Sequence, residues 1–213
     1  MRWRRFPLGA LWTNGYLVSD GAGHGFFVDP GGDPAEVCEA LASSSDGEKI
    51  SLERVLLTHG HADHIQGVDP LWEFTGASVW ISREDAPMLD CPEKNLSSHM
   101  GTSLSCRAPR DLFRPGEAFA VGTMEVKVIA TPGHTPGSCC FLVRDGEEEI
   151  LFSGDTLFAR SVGRCDLPGG DGEALDRSLG LLALLPDTLR VFPGHGPGTT
   201  IGEERAQNPF WPR

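Results

Sequence analysis

Short apolar runs recur along this chain, and each gives way to a turn-forming or polar residue, a pattern typical of β-strands. The pattern predicts strands over residues 12–19, 25–29, 55–58, 78–81, 117–121, 124–129, 138–143, 149–153 and 190–192. Asp145-Gly146, between two of these strands, is typical of a hairpin turn.

Helical spacing of apolar residues predicts four helices, over residues 34–43, 65–74, 83–89 and 171–185. In the last helix four leucines form one apolar stripe, which we interpret as part of the core: Leu175, Leu179, Leu182 and Leu185. Residues 90–111 show no apolar period and are predicted to form a loop. Within it, segment 95–99 either folds over a functional site or is a solvated connector. Strands and helices thus alternate in two halves.

The composition is that of an ordinary globular protein, with 39% hydrophobic and 23% charged residues among 213. We expect a single domain over residues 1–213 and no membrane span, because no segment approaches the roughly 20 apolar residues needed to cross a bilayer. The net charge of −12 argues against nucleic acid or an anionic membrane as a partner. Arg2, Arg4 and Arg5 precede a stretch that Pro7 and Gly9 interrupt, so we expect a cytoplasmic protein without a cleaved presequence.

Several polar donors follow the predicted strands directly. The segment His59-Gly60-His61-Ala62-Asp63-His64 places three imidazoles and a carboxylate after one strand. His134, Asp155 and His195 each follow another strand in a short turn. Because an open sheet tends to place its ligands outside one end of its strands, these loops are predicted to meet at one edge.

The seven donors exceed what one four- or five-coordinate ion requires, which favours two divalent metal ions. Imidazole and carboxylate ligands suit zinc first, with iron or manganese as alternatives. Asp63 and Asp155 are the candidate catalytic carboxylates, and a carboxylate such as Asp155 can bridge two ions. Such a pair of ions can activate a shared water molecule. A lone histidine is more often a surface or core residue than a ligand, and only the grouping of the donors favours a metal site.

These residues resemble the metallo-β-lactamase superfamily. The resemblance lies in the order of the seven donors, in Asp29 within Phe26-Phe27-Val28-Asp29-Pro30-Gly31-Gly32, and in Pro193-Gly194-His195-Gly196-Pro197. It is closest to the short, single-domain glyoxalase II-like hydrolases, which share Gly154-Asp155-Thr156-Leu157-Phe158. It implies an α+β fold, a four-layer αββα sandwich of two similar halves.

The resemblance also implies roles for the donors and a reaction. His59, His61 and His134 would hold one ion and Asp63, His64 and His195 the other, with Asp155 bridging and Asp29 orienting a ligand. The reaction would be hydrolysis of a small-molecule thioester such as S-lactoylglutathione by a metal-bound hydroxide. We expect no counterpart of the helical C-terminal domain with which full-length glyoxalase II binds glutathione, because only eighteen residues follow His195. The glutathione-binding residues therefore cannot be carried over.

Two other functions remain open at the level of sequence. Sulfur dioxygenases resemble the same scaffold and bind one iron through the equivalents of His59, His134 and Asp155. A scaffold that keeps metal only for folding is disfavoured, because structural zinc sites are closed and four-coordinate. The sequence does not indicate an oligomeric state.

Other residues with reactive side chains are predicted to lie outside the site. The six cysteines lack paired spacing and are interpreted as reduced thiols, with Cys165 as a packing residue. His24 is predicted to be a surface residue, and His99 is not expected to bind metal.

Overall fold

The computed structural model describes residues 1–43 and 49–212, and its elements alternate between strands and helices. The first half contains β1 (Arg2–Leu8), β2 (Thr13–Ser19), β3 (His24–Val28), α1 (Ala35–Ala42), β4 (Ser51–Leu56), α2 (Ala62–Ile65), α3 (Val68–Thr75), β5 (Ser78–Ser82) and β6 (Arg110–Phe113). The second half contains β7 (Ala118–Val121), β8 (Met124–Ala130), β9 (Cys139–Asp145), β10 (Glu148–Gly154), β11 (Leu157–Phe158), β12 (Ser161–Val162), α4 (Gly172–Leu182), β13 (Arg190–Pro193), β14 (Thr199–Thr200) and α5 (Ile201–Gln207).

The strands form two six-stranded mixed sheets. The first has the order β1-β2-β3-β4-β5-β6, and the second has the order β14-β13-β10-β9-β8-β7. Strands β3, β4, β5 and β6 run parallel to one another, as do β10 and β13, whereas the other pairs within these two sheets are antiparallel. The small β11-β12 hairpin stands apart from both sheets. The ends of β4, β8, β10 and β13 therefore point the same way within their sheets.

Three apolar layers separate the sheets and helices. Alternation along β3 shows how one strand serves two of them: Phe27 packs with α1 and α3, whereas Phe26 and Val28 pack between the two sheets. On the far side of the second sheet, Leu151 packs with the apolar face of α4. Helix, sheet, sheet and helix thus follow in order, which confirms the predicted four-layer αββα sandwich.

The predicted strands are all present with shifted ends, but β1, β6 and the two-residue strands β11, β12 and β14 were not predicted. Strand β1 lies at a sheet edge and pairs over its whole length with β2, although only Phe6 and Leu8 of its side chains are buried. Strand β6 pairs with β5 and begins inside the predicted loop at Arg110.

Two of the predicted helices differ in the structure. The helix over residues 65–74 is interrupted, because the N–H of Gly67 donates to Pro30 O at 2.7 Å and a Cβ atom at Gly67 would lie 2.2 Å from Gly32 O. Pro70 is tolerated in the first turn of α3, where its missing N–H has no helical partner. The helix predicted over residues 83–89 is wrong. Only the 3₁₀ turn Ala86–Met88 forms there.

The hairpin between β9 and β10 is shifted by one residue from the prediction, because Asp145 pairs with Glu148 and the turn consists of Gly146 and Glu147. Among the described residues, no helix is both long and apolar enough to cross a bilayer.

Candidate metal centre

All seven predicted donors lie at one edge of the sandwich. His59 follows β4, His61 precedes the first turn of α2, and Asp63 and His64 lie within α2. The second half supplies His134 after β8, Asp155 after β10 and His195 after β13. Ligand atoms of these residues form three overlapping groups, each within 4.8 Å: His59-His61-His134, His59-His64-Asp155 and Asp63-His64-His195.

The first group is formed by three buried imidazoles. His61 Nδ1 lies 3.0 Å from His134 Nε2, and the ring of His59 is 4.8 Å from that of His61 and 4.9 Å from that of His134, centroid to centroid. No hydrogen bond reaches His59 Nε2 from any described residue. This arrangement forms the first candidate metal position.

A second group combines nitrogen and oxygen donors. His195 Nε2 lies 3.2 Å from Asp63 Oδ2, and His64 Nε2 lies 3.7 Å from the same oxygen. The Nε2 atoms of His64 and His195 are 3.4 Å apart. His195, with 28% of its side chain exposed, is the most open of these donors, so this second metal position faces solvent.

Asp155 lies between the two positions. Its Oδ2 is 3.6 Å from His134 Nε2 and also 3.6 Å from His195 Nε2, while its Oδ1 is 3.4 Å from His64 Nε2. One carboxylate is therefore shared by donors of both positions.

The donor set fits divalent metal ions. Four described residues have a buried side-chain nitrogen or oxygen without a hydrogen-bond partner, and three of them belong to this cluster: His59, His61 and Asp155. Orphaned buried polar atoms are unfavourable unless something else satisfies them. In a tetrahedral site with metal–nitrogen bonds of about 2.0–2.1 Å, the ligand atoms lie about 3.3 Å apart. This is close to the 3.0 Å between His61 Nδ1 and His134 Nε2 and to the 3.2, 3.4 and 3.7 Å separations at the second position.

Burial and repulsion from neighbouring imidazoles lower the pKa of two histidines of the first position, His59 and His61. Burial lowers the pKa of His61 to about 3, with a further contribution from His134. Burial also lowers the pKa of His59 well below its ordinary value, and the neighbouring imidazoles add to the effect. Neutral imidazole is the form that binds a metal ion.

Charge is concentrated at the second position. Burial opposes ionisation of Asp155 and Asp63, but the surrounding imidazoles, with His64 first among them, together outweigh burial and lower the pKa of both carboxyl groups. Burial opposes a charge on His64 as well, yet the carboxylates around it raise its pKa well above the ordinary value. The ionised carboxylates make this position strongly attractive to a cation.

The outward-facing nitrogens of the imidazoles are held by further groups. Asp29 Oδ2 lies 2.9 Å from His64 Nδ1, and Asp29 also accepts hydrogen bonds from the backbone and hydroxyl of Thr58. His134 Nδ1 lies 2.7 Å from Arg164 O, and His195 Nδ1 lies 3.2 Å from Leu11 O. Such outer contacts orient metal-binding histidines. The expectation that Asp29 orients a ligand agrees with these distances.

Strand β2, in the first half of the chain, forms hydrogen bonds with the turn around His195, in the second half. Asn14 Nδ2 donates to the carbonyl oxygens of Pro193 and Gly196, both at 2.9 Å. The hydroxyl of Tyr16 donates to Pro193 O at 2.7 Å. The geometry of this turn therefore depends on contacts between the halves.

Sequence reasoning missed several residues that contact the donors or their loops. Thr13 Oγ1 donates to Asp63 Oδ2 at 3.3 Å, and Thr58 Oγ1 lies 3.1 Å from His59 Nδ1. Asp85 accepts hydrogen bonds from the loops on both sides of the first position. Asp85 follows the apolar strand β5, so the signal that identified the seven donors also applies to it.

Other residues considered in the sequence lie elsewhere or have other contacts. His24 is exposed and pairs with Glu53, and His99 is exposed in the 3₁₀ turn Ser97–Met100. Cys165 packs against the core beside α4. Asn95 donates its side-chain N–H groups to Met88 O and Leu104 O, and its backbone carbonyl accepts from Ala62 N at the start of α2. Asn95 thus connects its own loop to the start of α2, directly after His61.

Comparison with known protein families gives one match that spans the site. A family model described as the metallo-beta-lactamase superfamily matches residues 8–195. An uncharacterized protein of Mycobacterium leprae, ML0493, is 39% identical, with 96% of each chain covered. The probable metallo-hydrolase YqgX of Bacillus subtilis is 32% identical over 99% of this chain and 97% of its own. The hydroxyacylglutathione hydrolase GloC of Haemophilus influenzae is also 32% identical, over 96% and 95%.

Solved structures with the same fold include one in a di-iron-bound form. BLEG-1 B3 metallo-beta-lactamase has a TM-score of 0.87 and 37% identity, with 98% of this chain and 99% of the other covered. TTHA1623 in a di-iron-bound form has a TM-score of 0.81 and 38% identity over 97% and 99%. ETHE1 from Myxococcus xanthus has a TM-score of 0.75 and 31% identity over 98% and 84%.

Proposed function

Because this chain belongs to the metallo-β-lactamase superfamily and is a metallo-hydrolase of that fold, we propose that it hydrolyses thioesters at a centre of two divalent metal ions. In this proposal the first ion is held by His59, His61 and His134. The second is held by Asp63, His64 and His195, and Asp155 serves both. Zinc is the first choice, and the di-iron form of TTHA1623 supports iron as the alternative.

The position of Asp155 is the observation that carries the proposal. One oxygen, Oδ2, is equally distant from the imidazoles of His134 and His195, which belong to different metal positions. A carboxylate in this place supports two neighbouring ions rather than one, and it adds oxygen character to a site otherwise rich in nitrogen.

When bound, a pair of divalent ions supplies activation of water and stabilisation of negative charge on an acyl oxygen. The chain's own residues set where this happens. The buried first position keeps its imidazoles away from solvent, whereas His195 and Asp63 border the open side from which a substrate approaches. The leaving group is a thiolate, and its conjugate thiol has a pKa of about 8.5. It therefore departs without a proton donor, and the mechanism requires no general acid among these residues.

The substrate class rests on similarity to a named relative. GloC of Haemophilus influenzae is called a hydroxyacylglutathione hydrolase and matches this chain almost from end to end. A thioester of glutathione or of a comparable small thiol is therefore the proposed substrate.

The test is a panel of substrates on protein whose metal content has been measured. S-lactoylglutathione, an acyl-coenzyme A and a chromogenic cephalosporin are compared for wild type and for Asp155→Ala. We expect thioester hydrolysis by the wild type and a loss of about 10²-fold or more in the variant. Hydrolysis of the cephalosporin alone, or equal thioester activity in both proteins, would overturn the proposal.

A second candidate, an iron-dependent dioxygenase acting on glutathione persulfide, draws on part of the same donor set. His134 Nε2 lies 3.6 Å from Asp155 Oδ2, and the ring of His59 is 4.9 Å from that of His134, so two histidines and one carboxylate are gathered here. Such a set is typical of mononuclear iron oxygenases. Oxygen uptake on the persulfide, with one iron per chain and no thioester hydrolysis, would replace the hydrolase proposal with this one.

A further inference from the structure

Asp85 connects the two loops that carry the donors of the first metal position. Its Oδ2 accepts from Gly60 N at 3.1 Å, between His59 and His61 in the chain. Its Oδ1 accepts from Gly137 N at 2.7 Å, in the turn that also contains His134.

A third hydrogen bond completes the set. Thr135 Oγ1, one residue after His134, donates to Asp85 Oδ2 at 2.6 Å. The carboxylate is fully buried, so these bonds have no competition from water.

The packing around this carboxylate leaves little freedom. A Cβ atom at Gly137 would come within 2.6 Å of Asp85 Oδ1 and 2.0 Å of Ser82 Oγ. A Cβ atom at Gly60 would come within 2.6 Å of Met88 Cβ. Ser82 Oγ in turn accepts the backbone N–H of Asp85 at 3.2 Å. Both donor loops therefore lie directly on the segment that presents Asp85.

The contacts of Asp85 lie beside the donors of the first metal position. Among the described residues, its side chain bonds to the backbone of Gly60 and Gly137 and to the hydroxyl of Thr135, and not to Asp63, His64 or His195 themselves. Asp85 also belongs to the first half of the chain, whereas Thr135 and Gly137 belong to the second. The carboxylate thus bridges the loops that carry His61 and His134 across the two halves.

We infer that Asp85 is a positioning residue that fixes the two loops of the first metal position and so determines its affinity for metal. The inference rests on the proposed two-ion centre. Asp85 touches no ligand atom and takes no part in the chemistry. Removal of an outer residue of this kind lowers metal affinity by about 10- to 100-fold in known metal sites.

Asp85→Asn tests this inference, because the amide keeps the shape but cannot accept at both ends. Zn²⁺ is titrated into metal-free protein against a chromophoric chelator in two backgrounds. In His195→Ala, which lacks a second-position donor, we expect Asp85→Asn to weaken the remaining binding step by about 10- to 100-fold. In His134→Ala, which lacks a first-position donor, we expect it to leave the remaining step unchanged.

The matched control is Asp20→Asn. Asp20 is also a buried carboxylate that accepts three backbone N–H groups, but it lies at the opposite end of β3 from Asp29. Its substitution should leave both Zn²⁺ affinities unchanged even if stability falls. Equal weakening of both steps by Asp85→Asn, or of neither, would overturn the inference.

A second pair of variants covers the case in which Asp85→Asn does not fold. Thr135→Val removes one hydrogen bond to Asp85, and Thr135→Ser retains it. We expect Thr135→Val to lower the Zn²⁺ affinity of the first position and Thr135→Ser to keep the affinity of the wild type. Equal affinity in the two variants would contradict the inference. Failure of the wild type to bind two ions or to hydrolyse thioesters would instead count against the proposed function.

Discussion

Gly194 lies at a point where no side chain fits. A Cβ atom there would come within 2.3 Å of Asp155 Oδ1 and 2.7 Å of His64 Cε1. Its N–H donates to Gly154 O at 2.8 Å, which holds the turn before His195 against the turn before Asp155. The glycine is required by this close approach between two donor-bearing turns.

Gly194→Ala should therefore damage the second metal position. The added methyl group must displace the carboxylate of Asp155 or the ring of His64, so we expect loss of the more exposed ion. Metal analysis of gel-filtered protein measures the loss, and circular dichroism checks that the fold persists.

Gly21→Ala provides the comparison, since a Cβ atom at Gly21 meets nothing within 4 Å. It should retain the metal content of the wild type. Equal metal content in Gly194→Ala would contradict the role assigned to this close approach.

At the residue scale, the sequence identified the donors but not their supports. His134, Asp155 and His195 were predictable because each follows an apolar strand in a short turn. Thr13 was not, because its contact with Asp63 spans fifty positions in the chain and depends on how β2 lies beside α2. Ligand type can be inferred from chemistry, whereas outer contacts depend on the packed fold.

Among the elements, α4 shows how a helix fixes a donor loop. Asp171 caps its first turn by accepting from Ala174 N at 3.0 Å, and the N–H of Asp171 donates to Gly133 O. Ser178 Oγ donates to Pro132 O at 2.7 Å. The first two helical turns of α4 therefore both contact the loop that carries His134.

Gly180 lowers the stability of α4 and takes no part in the contact between this helix and the loop that carries His134. It is an interior helical residue, and a Cβ atom there would meet nothing within 4 Å. Gly180→Ala should stabilise the protein by about 0.5–1 kcal/mol, because alanine loses less backbone entropy in a helix. Urea denaturation measures the free energy of unfolding.

Gly133→Ala is the opposite case on the same interface. Its φ is +144° and a Cβ atom would lie 2.5 Å from Leu175 Cβ, so we expect destabilisation. A stabilising effect at Gly133 would show that the helix contact is not as described, whereas no effect at Gly180 would contradict the entropy argument for that position.

At the element scale, strongly periodic segments were predictable and exposed edges were not. The leucine stripe of α4 is buried as predicted for Leu175, Leu179 and Leu182. Strand β1 was missed because most of its side chains are exposed, and its conformation is determined by pairing with β2. The helix predicted around Asp85 fails because that side chain turns inward to bond other loops.

Asp20 connects the two halves at the end of the molecule away from the metal centre. Its Oδ1 accepts from Ala22 N and His24 N, and its Oδ2 accepts from Thr123 N at 3.0 Å in the β7–β8 turn. Burial opposes its charge, but these backbone N–H groups outweigh burial and lower its pKa. The carboxylate is thus stabilised in its ionised form by the folded structure.

Asp20→Asn should lower the free energy of unfolding at neutral pH by about 1–3 kcal/mol, because the amide presents a donor to one of three N–H groups. Since the folded-state pKa lies below the unfolded value of about 3.9, the stabilisation is complete above that pH. It is lost as the pH falls through the folded-state pKa. The difference between wild type and variant should therefore shrink in acid.

Denaturation of metal-free protein at pH 7 and at pH 3 measures this difference. Metal-free protein is used so that loss of ions in acid does not contribute. A difference of the same size at both pH values would contradict the charge-based explanation.

For the whole molecule, the αββα sandwich was predicted from the family resemblance, not from the apolar pattern alone. The pattern indicates alternation of strands and helices, but it does not say that Phe26 faces the other sheet while Phe27 faces the helices. That choice depends on which face of each strand finds an apolar partner in the other half.

The division of donors between the halves has a mechanical consequence. Each metal position takes residues from loops of both sheets, and the sheets meet through aromatic pairs such as Tyr16 and Phe152, whose ring centroids are 5.0 Å apart. Sliding of one sheet over the other would change the donor geometry of both candidate positions together. Repacking of the aromatic layer would thus tune metal binding at a distance, with every donor left in place.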